Sequence, residues 1–96
     1  MNIDVGTLTH EGFLKGLQAA GFAPPVAVTR DASYALGDHA HDFEAWALVT
    51  QGEITIEVGG IVSRFPAGRS FRLPAGTPHK EWVGCEGVQY LAGRKE

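Results

Sequence analysis

Ile54-Thr55-Ile56-Glu57-Val58-Gly59-Gly60-Ile61-Val62-Ser63-Arg64-Phe65 is the stretch whose reading decides the fold. Its first five residues alternate apolar with polar, and residues two apart on an extended chain share a face, so one face is buried and the other is wet. Gly59-Gly60 supplies a hairpin turn. Ile61 to Phe65 then returns as the partner strand.

Working outward, the same pattern recurs on both sides. Upstream, Phe43 to Thr50 is an almost continuous apolar strand broken by Gln51-Gly52-Glu53. Tyr34 to Leu36 is a strand leading into a corner, and Val26-Ala27-Val28 begins a first strand toward Arg30. Downstream, Pro66-Ala67-Gly68 turns, Ser70 to Leu73 alternates again, and Pro74-Ala75-Gly76 turns. His79 to Val83 and Val88 to Leu91 complete the set. Ahead of the strands, Thr9 to Gly21 reads as a short helix with Thr9 as N-cap, Phe13, Leu14, Leu17 and Ala20 at helical spacing, and Gly21 as its stop. Gly12 and Gly16 weaken it, and with Ile3, Val5 and Leu8 its apolar stripe is expected to pack against the sheet. Pro24-Pro25 ends the helical region.

Composition agrees with an all-β class. Thirteen glycines and five prolines in 96 residues mean many tight turns, and a chain of this length holds one domain. The division expected is a helical segment over 1–25 and a β-barrel over 26–91 within a single domain. A net charge of -3 argues against nucleic acid bound through a basic surface. Met1-Asn2-Ile3-Asp4 lacks the basic start and apolar run of a secretory signal, and no apolar stretch reaches the length of a membrane span. The expectation is a cytoplasmic protein with no membrane partner. Cys85 is the lone cysteine and cannot form an internal disulfide; between Gly84 and Glu86 it reads as part of a turn.

The residues that carry chemistry are histidines. His39 and His41 are two apart, so on a strand they offer two imidazoles to one ion. His79 brings a third from a distant strand if the chain folds back on itself. Singly, each would be a surface histidine near a turn; together they make a metal site. His10 lies at the helix start and is unrelated. Arg64, Arg69 and Arg72 invite reading as an anion-binding group, against the plainer reading of a solvated face. Trp82 and Tyr90 line a pocket or pack in a core or interface. Ala45-Trp46-Ala47-Leu48-Val49 is apolar at every position, which demands cover on both faces. The helix or a second copy of the chain provides it, and a homodimer is the expectation.

Between Val26 and Leu91 the sequence resembles the cupins, small barrels marked by two short motifs. Gly68, Pro74, Gly76 and His79 reproduce the spacing of the second motif, with Val83 where an asparagine that is not a ligand is expected. His39, His41 and Gly52 fit the first, but Glu44 follows His41 by three positions rather than four or five, and counting back from Gly52 puts Ala45 in the glutamate's place. In an unbroken strand Glu44 has the wrong parity for the metal, unless a corner or bulge restores it. Glu44 is therefore a candidate fourth ligand. Glu81, two residues after His79 and on its face, is a candidate pocket carboxylate, as ligand or acid/base.

The resemblance implies a double-stranded β-helix holding one divalent transition metal, iron, manganese, nickel or zinc. It implies a small-molecule partner: a substrate, in a metal-dependent dioxygenase, isomerase or decarboxylase of a small carboxylate, keto or hydroxy compound, or a ligand, in a non-catalytic binding or sensing module.

Overall fold

The computed structural model describes residues 2–96; Met1, where the leader reading began, lies outside them. The elements in chain order are β1 (Asp4–Thr7), α1 (His10–Ala19), β2 (Val26–Arg30), β3 (Ala35–His39), β4 (Glu44–Val58), β5 (Ile61–Pro66), β6 (Arg69–Leu73) and β7 (His79–Lys95). All strand pairs are antiparallel. Along one path the order is β1-β6-β4-β7-β2, while β5 pairs with β4 and β3 with β7.

The two long strands explain how one sheet closes over itself. The first part of β4, Ala45 to Leu48, has β6 on one edge, and its last part, Glu53 to Val58, has β5 there. β7 faces β4 along its whole length but pairs with β3 near His79 and with β2 near Val88 to Ala92. Two layers result, β1-β6-β4-β7-β2 and β5-β4-β7-β3, joined where β4 and β7 bend together. The bend lies at the register shifts between Val49 and Ile54, opposite the segment from Gly84 to Gly87. Only glycine fits there. Gly52 and Gly87 have φ of +75° and +74°, and a Cβ on Gly52 would stand 2.1 Å from the Gly87 carbonyl oxygen. The expected breaks at Gln51-Gly52-Glu53 and around Cys85 are thus bulges inside continuous strands rather than turns between separate ones, because both strands stay paired across them. Cys85 is exposed in the second bulge.

The bulges also reset side-chain parity. Ala45, Ala47, Ile54 and Ile56 of β4, and His79, Glu81, Tyr90, Ala92 and Arg94 of β7, all face the interior. Phe65, Phe71, Ile54, Ile56, Val49 and Val88 fill one end of it, with the Phe65 and Phe71 rings 4.8 Å apart. The other end stays open.

The helix covers the outside of β4. Thr9 caps it, its hydroxyl oxygen accepting from the Gly12 N–H at 3.0 Å, and Phe13 and Leu17 pack with Phe22 on Trp46 and Leu48. Phe13 and Phe22 meet the Trp46 ring edge-on at 5.9 and 5.7 Å. Gly16, a poor helix former, lets the helix come this close: a Cβ there would meet Trp46 at 2.7 Å. The apolar face of Trp46 and Leu48 is therefore satisfied within one chain, and this strand gives no argument for the expected homodimer. The segment ahead of the helix is a strand, not an extension of its stripe. β1 pairs with β6, which seats Ile3 in the barrel core, leaves Val5 exposed, and turns Leu8 to the helix cluster. Among the described residues no helix is long and apolar enough to cross a membrane.

Candidate metal centre

Backbone register brings the histidines together. His39 is the last residue of β3 and stands directly opposite His79, the first residue of β7. A register shift between Leu36 and His39 turns both inward although they are three residues apart. His41 lies beyond the strand, in the corner before β4, where its carbonyl accepts the Gly76 N–H at 2.8 Å. The Pro-Ala-Gly turn thus ties the two motifs together. Ring centroids are 4.0 Å apart for His39 and His79, 5.1 Å for His39 and His41, and 5.4 Å for His41 and His79. One ligand nitrogen from each lies within 4.8 Å of the other two.

Hydrogen bonding sets which nitrogens point inward. His39 Nδ1 donates to the Gly37 carbonyl at 2.7 Å and His79 Nδ1 to the Thr77 carbonyl at 2.9 Å; a carbonyl only accepts, so the proton sits on Nδ1 in both rings. In the neutral rings each Nε2 keeps its lone pair, and both Nε2 atoms are buried without a hydrogen-bond partner. An unsatisfied buried acceptor costs about 1–3 kcal/mol. Fixing the tautomer through Nδ1 while Nε2 converges on neighbouring imidazoles is how histidine is oriented to bind a cation. The three residues therefore fit a divalent metal.

Glu81 joins them and Glu44 does not. The Glu81 carboxylate is 3.2 Å from His39 Nε2 and 3.4 Å from His79 Nε2, close enough for charge interaction but without the alignment of a hydrogen bond. Burial pushes the Glu81 carboxyl up, yet His79, His39 and the Tyr34 hydroxyl around it hold it below the usual carboxylate range. Burial pushes His79 toward its neutral form, and the Glu81 carboxylate and Thr77 carbonyl more than offset this. His41 is lowered by burial and by the other two histidines. Glu44 instead opens β4 facing outward, where its carboxylate takes Arg72 at 3.1 Å while that guanidinium lies 4.6 Å over the Trp46 ring. As an expected fourth ligand Glu44 is displaced by parity: the corner ends before β4 begins, and Ala45 faces the cavity.

The centre sits in a cavity of about 170 Å3 open to solvent. Val26, Val28, Leu36, Phe43, Phe71 and Leu73 supply apolar walls, with Tyr34, Tyr90, Arg30 and Arg94 among them. Burial and the Glu81 charge push the Tyr90 hydroxyl up to about 12, so it stays protonated. The arginines read from the sequence are elsewhere: Arg64 faces Glu53 at 3.8 Å, Arg69 pairs with Asp4, and Arg72 with Glu44, all on the outer surface. Arg30 and Arg94, which sequence reading passed over, reach the cavity by lying over Tyr34 and Phe43, at 5.2 and 4.3 Å. Arg94 was legible only to a count that includes the β7 bulge, since it has the opposite parity to His79. Trp82 faces outward and His10 lies on the helix, remote from the centre.

A cupin domain model matches residues 30–87, which takes in both histidine motifs. The chain belongs to the cupin family. Among solved structures this cupin is similar to an RmlC-like cupin from Shewanella frigidimarina, at 24% identity and a TM-score of 0.65 over 74% of this chain and 63% of that one. It is similar to KdgF from Halomonas sp., at 22% identity and 0.63 over 75% and 68%, and to a single-residue variant of oxalate decarboxylase from Bacillus subtilis, at 18% and 0.68 over 75% and 20%. At these identities the likeness is one of fold, and the cupin spans under two thirds of the Shewanella chain's length. No curated protein matches it.

Proposed function

We propose that this cupin holds one divalent transition metal on His39, His41 and His79 and uses it to act on a small anionic compound, a carboxylate, keto acid or hydroxy acid. The observation behind this is the convergence of three imidazole nitrogens within 4.8 Å, with His39 Nε2 and His79 Nε2 buried and without hydrogen-bond partners, at an open cavity. Iron, manganese, nickel and zinc all suit imidazole ligands. Bound there, the metal supplies Lewis acidity to an oxygen ligand and lowers the pKa of bound water.

The chain's own groups would do the rest. Arg30 and Arg94 have no carboxylate partner within 4 Å among the described residues, so the positive charge of each is left uncompensated by an ion pair and would draw an anion to the mouth. Apolar walls exclude water and leave orientation to few polar groups. The Tyr34 hydroxyl lies beside Glu81 and helps to hold that carboxylate in its charged form next to the imidazoles. The neighbours named as oxalate decarboxylase, one described with Mn(II) centres, make metal-dependent carboxylate chemistry a natural reading.

A second reading is a binding or sensing module, favoured by the wall itself: among the described residues Glu81 is the only carboxylate that lines the cavity, and it is already engaged with the histidines. Metal content measured on protein purified without added metal, followed by incubation with small keto and hydroxy acids with and without oxygen, separates the two. Turnover that requires the metal supports the enzyme. Saturable binding without turnover supports the sensor, and metal content unchanged in His79→Ala removes both.

A further inference from the structure

The strand that follows the histidine pair brings no carboxylate to the centre. Glu44 is held outward by Arg72, and the next residue, which does face the cavity, is Ala45. A carboxylate nevertheless reaches the imidazoles from the opposite strand. Glu81 shares the inward face of β7 with His79, its side chain is 11% exposed, and one oxygen lies 3.2 and 3.4 Å from two Nε2 atoms. In the neutral rings both of these nitrogens present lone pairs, because both Nδ1 atoms donate to carbonyls.

An anionic oxygen set against two lone pairs in a buried place is repulsive unless positive charge sits among them. No guanidinium or ammonium does so: among the described residues, neither cavity arginine pairs with Glu81, and Lys80 turns outward to Asp38 and Glu57. A single proton on one ring would satisfy one nitrogen and leave the other facing the carboxylate. A cation held jointly by the carboxylate and the imidazoles satisfies all of them at once.

We infer that Glu81 is the fourth protein ligand of the metal, a carboxylate delivered by β7 two residues after His79, in place of the one cupins take from the strand after their histidine pair. The inference rests on the metal-site reading above. Three imidazoles and one carboxylate form a nitrogen and oxygen donor set suited to a first-row divalent ion with open positions for an oxygen ligand.

The test uses Co(II) as a spectroscopic probe on the full chain stripped of metal, with Glu81→Gln, Glu44→Gln and wild type compared by chelator competition. Far-ultraviolet circular dichroism and thermal unfolding without metal verify that the variants fold. Glu81→Gln is expected to weaken Co(II) binding by roughly tenfold or more, the scale on which even outer partners of metal ligands act. Glu44→Gln should match wild type. A crystal structure of the Co(II)-loaded protein should place a Glu81 oxygen about 2.0–2.2 Å from the ion. Equal affinity in Glu81→Gln and wild type, a loss in Glu44→Gln instead, or a loaded structure with Glu81 off the ion would overturn the inference and leave the three-histidine site standing. Failure of wild type to take up Co(II) would overturn both.

Discussion

At the scale of single residues, the centre is defined by where protons sit. In the metal-free chain His79 titrates above its ordinary 6.5 and Glu81 below its ordinary 4.5, burial in each case being outweighed by the charged and polar groups around it, Glu81 and the Thr77 carbonyl for His79 and the two histidines and Tyr34 for Glu81. A raised histidine adds stability that is fully present below 6.5 and is lost as pH rises through its folded value. A depressed carboxylate adds stability present above 4.5 and lost as pH falls through its folded value. The pair therefore contributes most between pH 4.5 and 6.5 and less on either side. Urea titrations of metal-free protein at stepped pH should show this arch, and Glu81→Gln should flatten it; parallel profiles would contradict the coupling. Bound metal should invert the alkaline limb, because it requires the neutral imidazoles that rising pH supplies. Sequence reading reached the three histidines because spacing alone nearly determines them. It could not settle Glu44 against Glu81, because parity after a corner depends on where the next strand begins pairing, and that is a property of the partner strand.

At the scale of elements, the long strands were legible as apolar and alternating runs, but their continuity was not. Gln51-Gly52-Glu53 and the segment around Cys85 carry turn chemistry, and each is a bulge only because the other lies opposite it. Two mutations probe this layer. Gly52→Ala should destabilise the fold severely, since its Cβ would overlap the Gly87 carbonyl at a φ that disfavours side chains, whereas Gly37→Ala, with nothing within 4 Å, should unfold near the wild-type midpoint. Phe13→Ala removes a fully buried ring from against Trp46 and should cost about 3–5 kcal/mol in denaturant titrations. A cost below about 1 kcal/mol, the scale of surface substitutions, would mean that the helix does not cover β4. The inward face of Ala45 gives a third test: Ala45→Glu placed in Glu81→Ala should restore part of the Co(II) affinity, by returning a carboxylate to the cavity from β4. No gain over Glu81→Ala alone would argue that Ala45 faces elsewhere.

At the scale of the whole molecule, one end of the barrel is packed with phenylalanine and branched side chains, and the other is left open, with the three histidines on its wall and arginines around it. Arg30 lies opposite Val88 and Arg94 opposite Ala45, so the two guanidiniums are anchored about 20 Å apart along β7 at roughly 3.3 Å per residue. Under the proposed function, a small anion would meet one of them while its other end reaches the histidines. The sequence disclosed an all-β barrel, its helix and its motif pair, since alternation, capping and glycine turns are local signals. The cavity's charge was hidden, because Arg94 acquires its inward direction only from a bulge seven residues earlier, at Gly87.

Whether His39, His41 and His79 act as one cation site is tested by titration of metal-stripped protein with Co(II), followed by visible absorption. A single three-histidine site should give a ligand-field spectrum that saturates at one ion per chain and is abolished in His79→Ala. An unchanged Co(II) spectrum on adding protein, or the same saturating titration in His79→Ala, would contradict it.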